Sequence, residues 1–175
     1  MTTEAFSGLV AALDPPLIVV TTAVGDERAG CLVGFHAQSS ITPERYCVWL
    51  SKANHTYRVA LRSDYLALHF LDTGDLSLAT HFGTMSGDTV DKFADLPTET
   101  GTGGVPLLTD CPNVLVVRRS ALLDEGGDHV CLPAEVVAAR HGKPFTPFRL
   151  SQAAHLEPGH GNEERHGPPT ERAAS

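Results

Sequence analysis

Residues 50–61 read LSKANHTYRVAL: an apolar run ends, a polar cluster follows, and a helical pattern begins. Lys52, Asn54, His55 and Thr56 stand at the junction, with Arg58 one turn further in. These residue types can hold an anion. A helix N-terminus leaves backbone N–H groups without partners and carries partial positive charge, a combination that favours phosphate. Lys52 adds a point charge, and Asn54 and Thr56 add short donors. A plain reading fits the same residues, with Asn54 as the helix cap and Lys52 as a solvated surface lysine. The pattern alone does not choose between them.

Other chemistry-bearing residues are scattered. His129 follows Asp128, and the pair can simply open a strand. His36 and His69 alternate with apolar residues, so His69 is expected on a solvent-facing side of a sheet. His81 falls late in a helix, where a histidine can meet the last carbonyls. His155, His160 and His166 lie near Glu163 and Glu164, in a Gly/Pro-rich segment read as a tail; no metal site is assigned. Trp49 reads as core. Cys31, Cys47, Cys111 and Cys131 lack close metal-ligand or redox spacing, and three adjoin apolar runs. They read as small buried hydrophobes of a reduced, cytoplasmic protein, and Cys31 is given no redox role.

A length of 175 residues favours one domain able to bury a core without metal or disulfide. The net charge of -8 argues against nonspecific binding to nucleic acid or an anionic membrane surface. The start, MTTEAFSGLVAALDPP, lacks the basic segment and long apolar core of a signal peptide. No run approaches the ~20 apolar residues of a membrane span.

The elements that must position these residues are mostly strands. Phe6, Leu9, Val10 and Leu13 predict an amphipathic helix over 3–13, ended by Asp14-Pro15-Pro16. LIVVTTAV reads as a buried strand, GDER as a turn, and AGCLVGFHAQSS as the returning strand of a hairpin. YCVWLS is the next strand. The helix after it should bury Val59, Ala60 and Leu61, and DYLALHFL is a further strand. Asp72, Thr73 and Asp75 can cap a helix over LSLATHF, closed by Gly83. Residues 84–110 form a long polar excursion of the kind that is functional or mobile. NVLVVRRSALL and DHVCLPAEVVAAR are strands joined by DEGG, with Pro133 marking an edge or a bulge. A domain over 1–154 and a disordered tail over 155–175 are expected. The fold class is mainly β (α+β): an antiparallel barrel of six or so strands with short helical connections.

Four stretches in order resemble the flavin reductase-like family with the FMN-binding split-barrel fold. VVTTAVGDERAGCLVGFHAQSSITP is similar to its opening hairpin, and VWLSKANHTYRVALRSDYLALHFL to its strand, phosphate-binding turn, helix and strand. LSLATHFGTMSGDTVDKF is similar to its helix ending in Phe and a small residue, followed by a Lys-Phe or Arg-Phe pair. GGVPLL and GDHVCLPAEVVAA resemble its Gly-x-Pro-x-Leu loop and Gly-Asp-His strand. The match covers about residues 15–150. It implies a homodimer that binds FMN, with FAD as the alternative, and that passes hydride from NADH or NADPH to the flavin, which a flavin-dependent monooxygenase can then use. Lys52, Asn54, His55 and Thr56 fall on the family's phosphate turn, and Val33, Gly34, Phe35 and His36 on the strand along the flavin ring. Gln38 and Ser40 fall on positions often serine, and Phe82 and Gly83 on the Phe-small pair. His129, the candidate catalytic residue, falls on the histidine facing flavin and nicotinamide. Leu32, Gly34, Gln38, Glu44 and Ala134 depart from the family pattern, and Leu32, Gly34 and Gln38 are expected to line the ring pocket. These departures keep two alternatives open: an electron carrier of the same fold, and a divergent barrel binding deazaflavin or heme.

Overall fold

The computed structural model describes residues 2–159. Among these residues, nine strands and three α-helices succeed one another: α1 (Thr3–Leu13), β1 (Ile18–Val24), β2 (Glu27–Val33), β3 (His36–Ser40), β4 (Arg45–Ser51), α2 (His55–Ala60), β5 (Tyr65–Phe70), α3 (Leu76–Thr84), β6 (Thr98–Thr100), β7 (Pro106–Leu108), β8 (Val114–Arg119) and β9 (His129–Arg140). Seven strands form one sheet in the order β2-β1-β5-β8-β9-β4-β3, antiparallel at every pairing.

The ends of that order fix its shape. β2 and β3 are opposite edges of the sheet, yet only Gly34 and Phe35 separate them in sequence. From Val33 to His36 the chain takes three steps and reaches at most about 10 Å, so the sheet must curl until its edges nearly meet. The Trp49 N–H donates to the Phe35 carbonyl at 2.9 Å, carrying the link onto β4. The result is the expected split barrel. The single strand expected over AGCLVGFHAQSS is therefore two strands, because the chain leaves one edge and joins the other.

Alternation along the strands sorts the core. Ile18, Val20, Val48, Leu50, Leu66, Leu68, Val117 and Leu132 fill the barrel. Leu17 and Val19 face the other way, into a second cluster with Phe82, Phe93, Leu108 and Phe148 under α3 and the loops. β1 is thus covered on both faces, which explains why Ile18–Ala23 are all buried, Thr21 and Thr22 included, their hydroxyls donating to the Pro106 and Tyr65 carbonyls.

Several local expectations change. His69 does not face solvent; it is wholly buried. Its Nδ1 lies 3.2 Å from the Val19 carbonyl, and its Nε2 accepts the Leu108 N–H at 3.1 Å. An acceptor at Nε2 and a donor at Nδ1 define one neutral tautomer. The partner is the β6–β7 hairpin, which lies inside the stretch read as a loop. Its strands are three residues long, and Gly103 and Gly104 turn between them at φ 72° and 81°, so it carries little periodic signal. Gly83 lies within α3 and does not close it. Leu61 is exposed, whereas Val59 and Ala60 are buried. Pro133 sits in a central strand beside a bulge. The pairs Arg119↔Ala134 and Leu123↔Cys131 enclose three residues on one side and two on the other. Residues 155–159, assigned to the tail, pack back: the Leu156 N–H donates to Ala153 and the Gly159 N–H to Gly83. The remainder of the expected tail, with His160 and His166, lies outside the described residues. The stripe of α1 is uncovered by the described chain; Phe6, Leu9 and Leu13 are each about 70% exposed.

His69 should make the fold acid-sensitive. Burial pushes its pKa down from 6.5 to about 4. The unfolded chain therefore takes up a proton first, so this stability is complete above about pH 6.5 and is lost as pH falls toward 4. The loss should approach about 3 kcal/mol. Denaturant melts between pH 7.5 and 4.5 will show this slope in the wild type and a shallower one in His69→Gln.

Candidate functional site

The gap where β2 gives way to β3 opens into a cavity of about 500 Å³. One wall is the link itself, from Cys31 through Phe35. A second is the end of β4 and the turn into α2: Trp49, Leu50, Ser51, Ala53, Asn54 and His55. The third is the end of α3 and the loop after it, with Phe82, Gly83, Met85, Ser86 and Gly87. Pro15, Leu17, Leu150, Ala153, Leu156 and Pro158 form an apolar cover, and His129 stands at the start of β9.

The turn into α2 is held from several sides. Ser51 pairs with His129, and the Lys52 N–H donates to the Asp128 carbonyl at 2.9 Å. Asn54 caps α2, its Oδ1 accepting the Thr56 N–H at 2.9 Å. Lys52 Nζ donates to Asp124 at 2.8 Å, which holds the Asp124 carboxyl below its ordinary range.

His55 links the turn to the third wall. Its Nδ1 lies 3.2 Å from Asp88 and its Nε2 3.6 Å from Glu27. Arg58 also binds Asp88 and keeps that carboxyl low, and Arg62 binds Glu27. Gly87 lies flat on the His55 ring; a Cβ there would come 2.9 Å from Cδ2. At Gly83 a Cβ would meet Leu32 Cδ2 at 3.0 Å, and at Gly34 it would meet Leu17 at 3.2 Å. These two glycines let Leu32 and Leu17 pack directly against the backbone of the third and first walls.

His129 is oriented by its neighbour. Nδ1 lies 2.8 Å from Asp128 Oδ1, an interaction that lowers the Asp128 pKa. The ring packs against Phe35 with centroids 4.9 Å apart.

Of the residues named from sequence, Val33, Gly34, Phe35, Asn54, His55, Phe82, Gly83 and His129 line the cavity together. His36, Gln38, Ser40, Lys52 and Thr56 are not on its wall. β3 begins only after the link has crossed, so its side chains run along the far edge of the sheet. His36 is bound between Tyr46 Oη (2.8 Å) and the Pro16 carbonyl (2.9 Å). Gln38 is exposed and donates to the Ser40 carbonyl. Gln38, expected to line the pocket, is not among the residues that line this cavity. Thr56 is buried beneath the turn. Trp49, read as core, is half-buried and lines the cavity; Val48 and Leu50 take the inward positions. The cover from Leu150 to Pro158 and the loop Met85–Gly87 had no periodicity to reveal them.

The cavity is lined mostly by apolar groups, with Ser51, Asn54, His55, Ser86 and His129 as its polar members, a lining that suits an amphipathic ligand. Among the described residues no group of three His, Cys, Asp or Glu side chains is placed to hold a metal ion, and no helix is long and apolar enough to cross a membrane.

Residues 11–150 match the model of the flavin reductase like domain. Diflavin flavoprotein A 1 of Synechocystis sp. is 26% identical over 128 residues, covering 73% of this chain and 22% of that protein. The chain spans about a fifth of the length of the curated relatives it matches. The solved NADH:FAD oxidoreductase SgcE6 of Streptomyces globisporus superposes with a TM-score of 0.69 at 22% identity, over 85% of this chain and 87% of that one. An FMN-binding protein from Thermus thermophilus, with bound 1-cyclohex-2-enone, gives 0.67 at 24% identity over 71% and 69%.

The turn's stability should rest on its cap more than on its lysine. Asn54→Ala should cost about 1 kcal/mol. Lys52→Ala, which breaks a partly exposed ion pair, should cost well under that. Urea midpoints of the two variants will order them.

Proposed function

Because the chain belongs to the flavin reductase-like domain family, we propose that its cavity holds FMN and that the protein takes a hydride from NADH or NADPH there. The slot itself carries this reading. Its volume of about 500 Å³ falls within the ~300–1,000 Å³ usual for cofactor sites. FMN is a flat, largely apolar ring with a chain ending in phosphate. The ring suits the space between Val33–Phe35 and Phe82–Gly83, and the phosphate suits the turn at Asn54 and His55. FAD shares the ring and remains the alternative.

The hydride chemistry belongs to the flavin and the nicotinamide. The chain's residues hold, orient and dry the site. The backbone of Val33–Phe35 and the Phe82 side are the surfaces assigned to the two flat rings. His129, held by Asp128 and packed against Phe35, is assigned the role of orienting the nicotinamide. Leu150, Leu156 and Pro158 exclude water. The similarity to an NADH:FAD oxidoreductase supports this reading, and a flavin-dependent monooxygenase is the proposed user of the reduced flavin. A cytoplasmic location agrees with the use of NAD(P)H.

The working form is proposed to be a homodimer. An eleven-residue helix is marginal in water by itself, and Phe6, Leu9 and Leu13 of α1 face outward. A second copy is the assigned cover.

Titration with FMN, followed by absorbance and by quenching of flavin fluorescence, tests the cofactor. Gly83→Val should weaken FMN by at least about tenfold, because its side chain enters the slot beside Leu32. His129→Ala should retain FMN and slow NAD(P)H oxidation by about tenfold or more. A wild type that binds FMN but oxidises neither NADH nor NADPH would make the protein an electron carrier. In light scattering, Leu9→Glu should convert a dimer to monomers; a wild type already monomeric at high concentration refutes the dimer.

A further inference from the structure

Lys92 is a cation in the interior, 5% exposed. Its Nζ donates to the Gly30 carbonyl at 2.9 Å and to the Phe82 carbonyl at 3.1 Å, and lies 5.8 Å from the centre of the Phe82 ring. The titratable group it senses is the buried Cys31 thiol, and burial lowers the Lys92 pKa. Among the described residues no carboxylate forms an ion pair with it. A buried ammonium without a counter-charge is costly to keep. Carbonyl oxygens and a ring face compensate only in part.

The position of that charge is specific. Phe82 lines the cavity, and Gly30 directly precedes Cys31 and Leu32, which line it too. Lys92 therefore bridges the first and third walls from behind. Its two bonds fix the spacing between them, and its charge stands one residue behind the Phe82–Gly83 face in a region of low dielectric. There a charge acts over a longer range than in water. A flavin ring is neutral when oxidised; when reduced it readily loses a proton and becomes an anion.

Resting on the FMN reading of this cavity, we propose that Lys92 is a positioning residue whose buried charge acts through the Phe82–Gly83 wall to favour binding of reduced over oxidised flavin. The nearby polar groups of the cavity, His55 and His129, are tied to Asp88 and Asp128. Among the described residues, Lys92 is thus the cation of this wall whose charge no carboxylate offsets.

The test is a pair of dissociation constants for FMN, one for the oxidised form in air and one for the dithionite-reduced form without oxygen. Both are measured on wild type, Lys92→Met and Lys92→Arg. Lys92→Met should weaken reduced FMN about tenfold more than oxidised FMN, and Lys92→Arg, which keeps the charge, should restore the ratio. Should Lys92→Met fail to fold, Lys92→Gln, with an amide donor for one carbonyl, carries the same comparison. Equal weakening of both forms, or an unchanged ratio, would reduce Lys92 to a structural strut and overturn the proposal. A wild type that binds FMN with a ratio insensitive to Lys92 leaves the cofactor reading standing. A wild type that ignores both forms of FMN removes the cofactor reading and this inference together.

Discussion

The link Gly34–Phe35 is the constraint on which the rest of the molecule depends. It joins the two outermost strands of a seven-stranded sheet. No flat sheet can meet that condition, because five strands at about 4.8 Å spacing separate the edges. The sheet must curl, its inward alternate residues become one core, and the remaining seam becomes the cavity. Fold and site therefore have one origin: the place where the barrel fails to close by hydrogen bonds is where the slot lies. Glycine at 34 lets the link run close to Leu17, whose Cδ2 a Cβ would approach to 3.2 Å.

Polar groups inside the fold hold the parts that alternation cannot. His69 fastens the β6–β7 hairpin to β1 and β5. Lys92 fastens the loop after α3 to the outer edge of β2, where Arg28 also binds Asp91 and lies over the Phe93 ring. That edge would otherwise present open backbone groups. Both side chains are long-range ties between short or irregular segments, and both are buried because the segments they tie are thin.

Features set by local chemistry were legible in the sequence. Runs such as LIVVTTAV and YCVWLS located strands, Asn54 located the start of α2, and the order of motifs located the barrel. Features that depend on which strands become neighbours were concealed. His69 has the period of a solvent-facing sheet residue and is buried, since a hairpin 39 residues away covers it. Gln38 belongs to the same continuous pattern as Val33 but does not line the slot, since the break at Gly34 puts it on β3 rather than β2. Trp49 has a core residue's composition, but its neighbours take the inward positions. Residues 150–158 show no alternation at all, because their contacts are with α3 and the slot rather than with a sheet.

The same geometry sorts the departures from the family pattern. Glu44 is exposed, and its carbonyl accepts the Val136 N–H, a contact indifferent to its side chain. Ala134 is packed into the barrel interior opposite Tyr46, where a methyl adds burial. Gln38 is off the wall. Only Leu32 and Gly34 line the slot, and they act in opposite senses. Leu32 adds a side chain that rests on Gly83, narrowing one side; Gly34 withholds a side chain beside Leu17, widening the other. A glycine at 83 is what allows the larger residue at 32, because a Cβ there would already stand 3.0 Å from Leu32. The two departures thus act on different walls: Leu32 adds apolar contact against the end of α3, and Gly34 keeps the link close to Leu17.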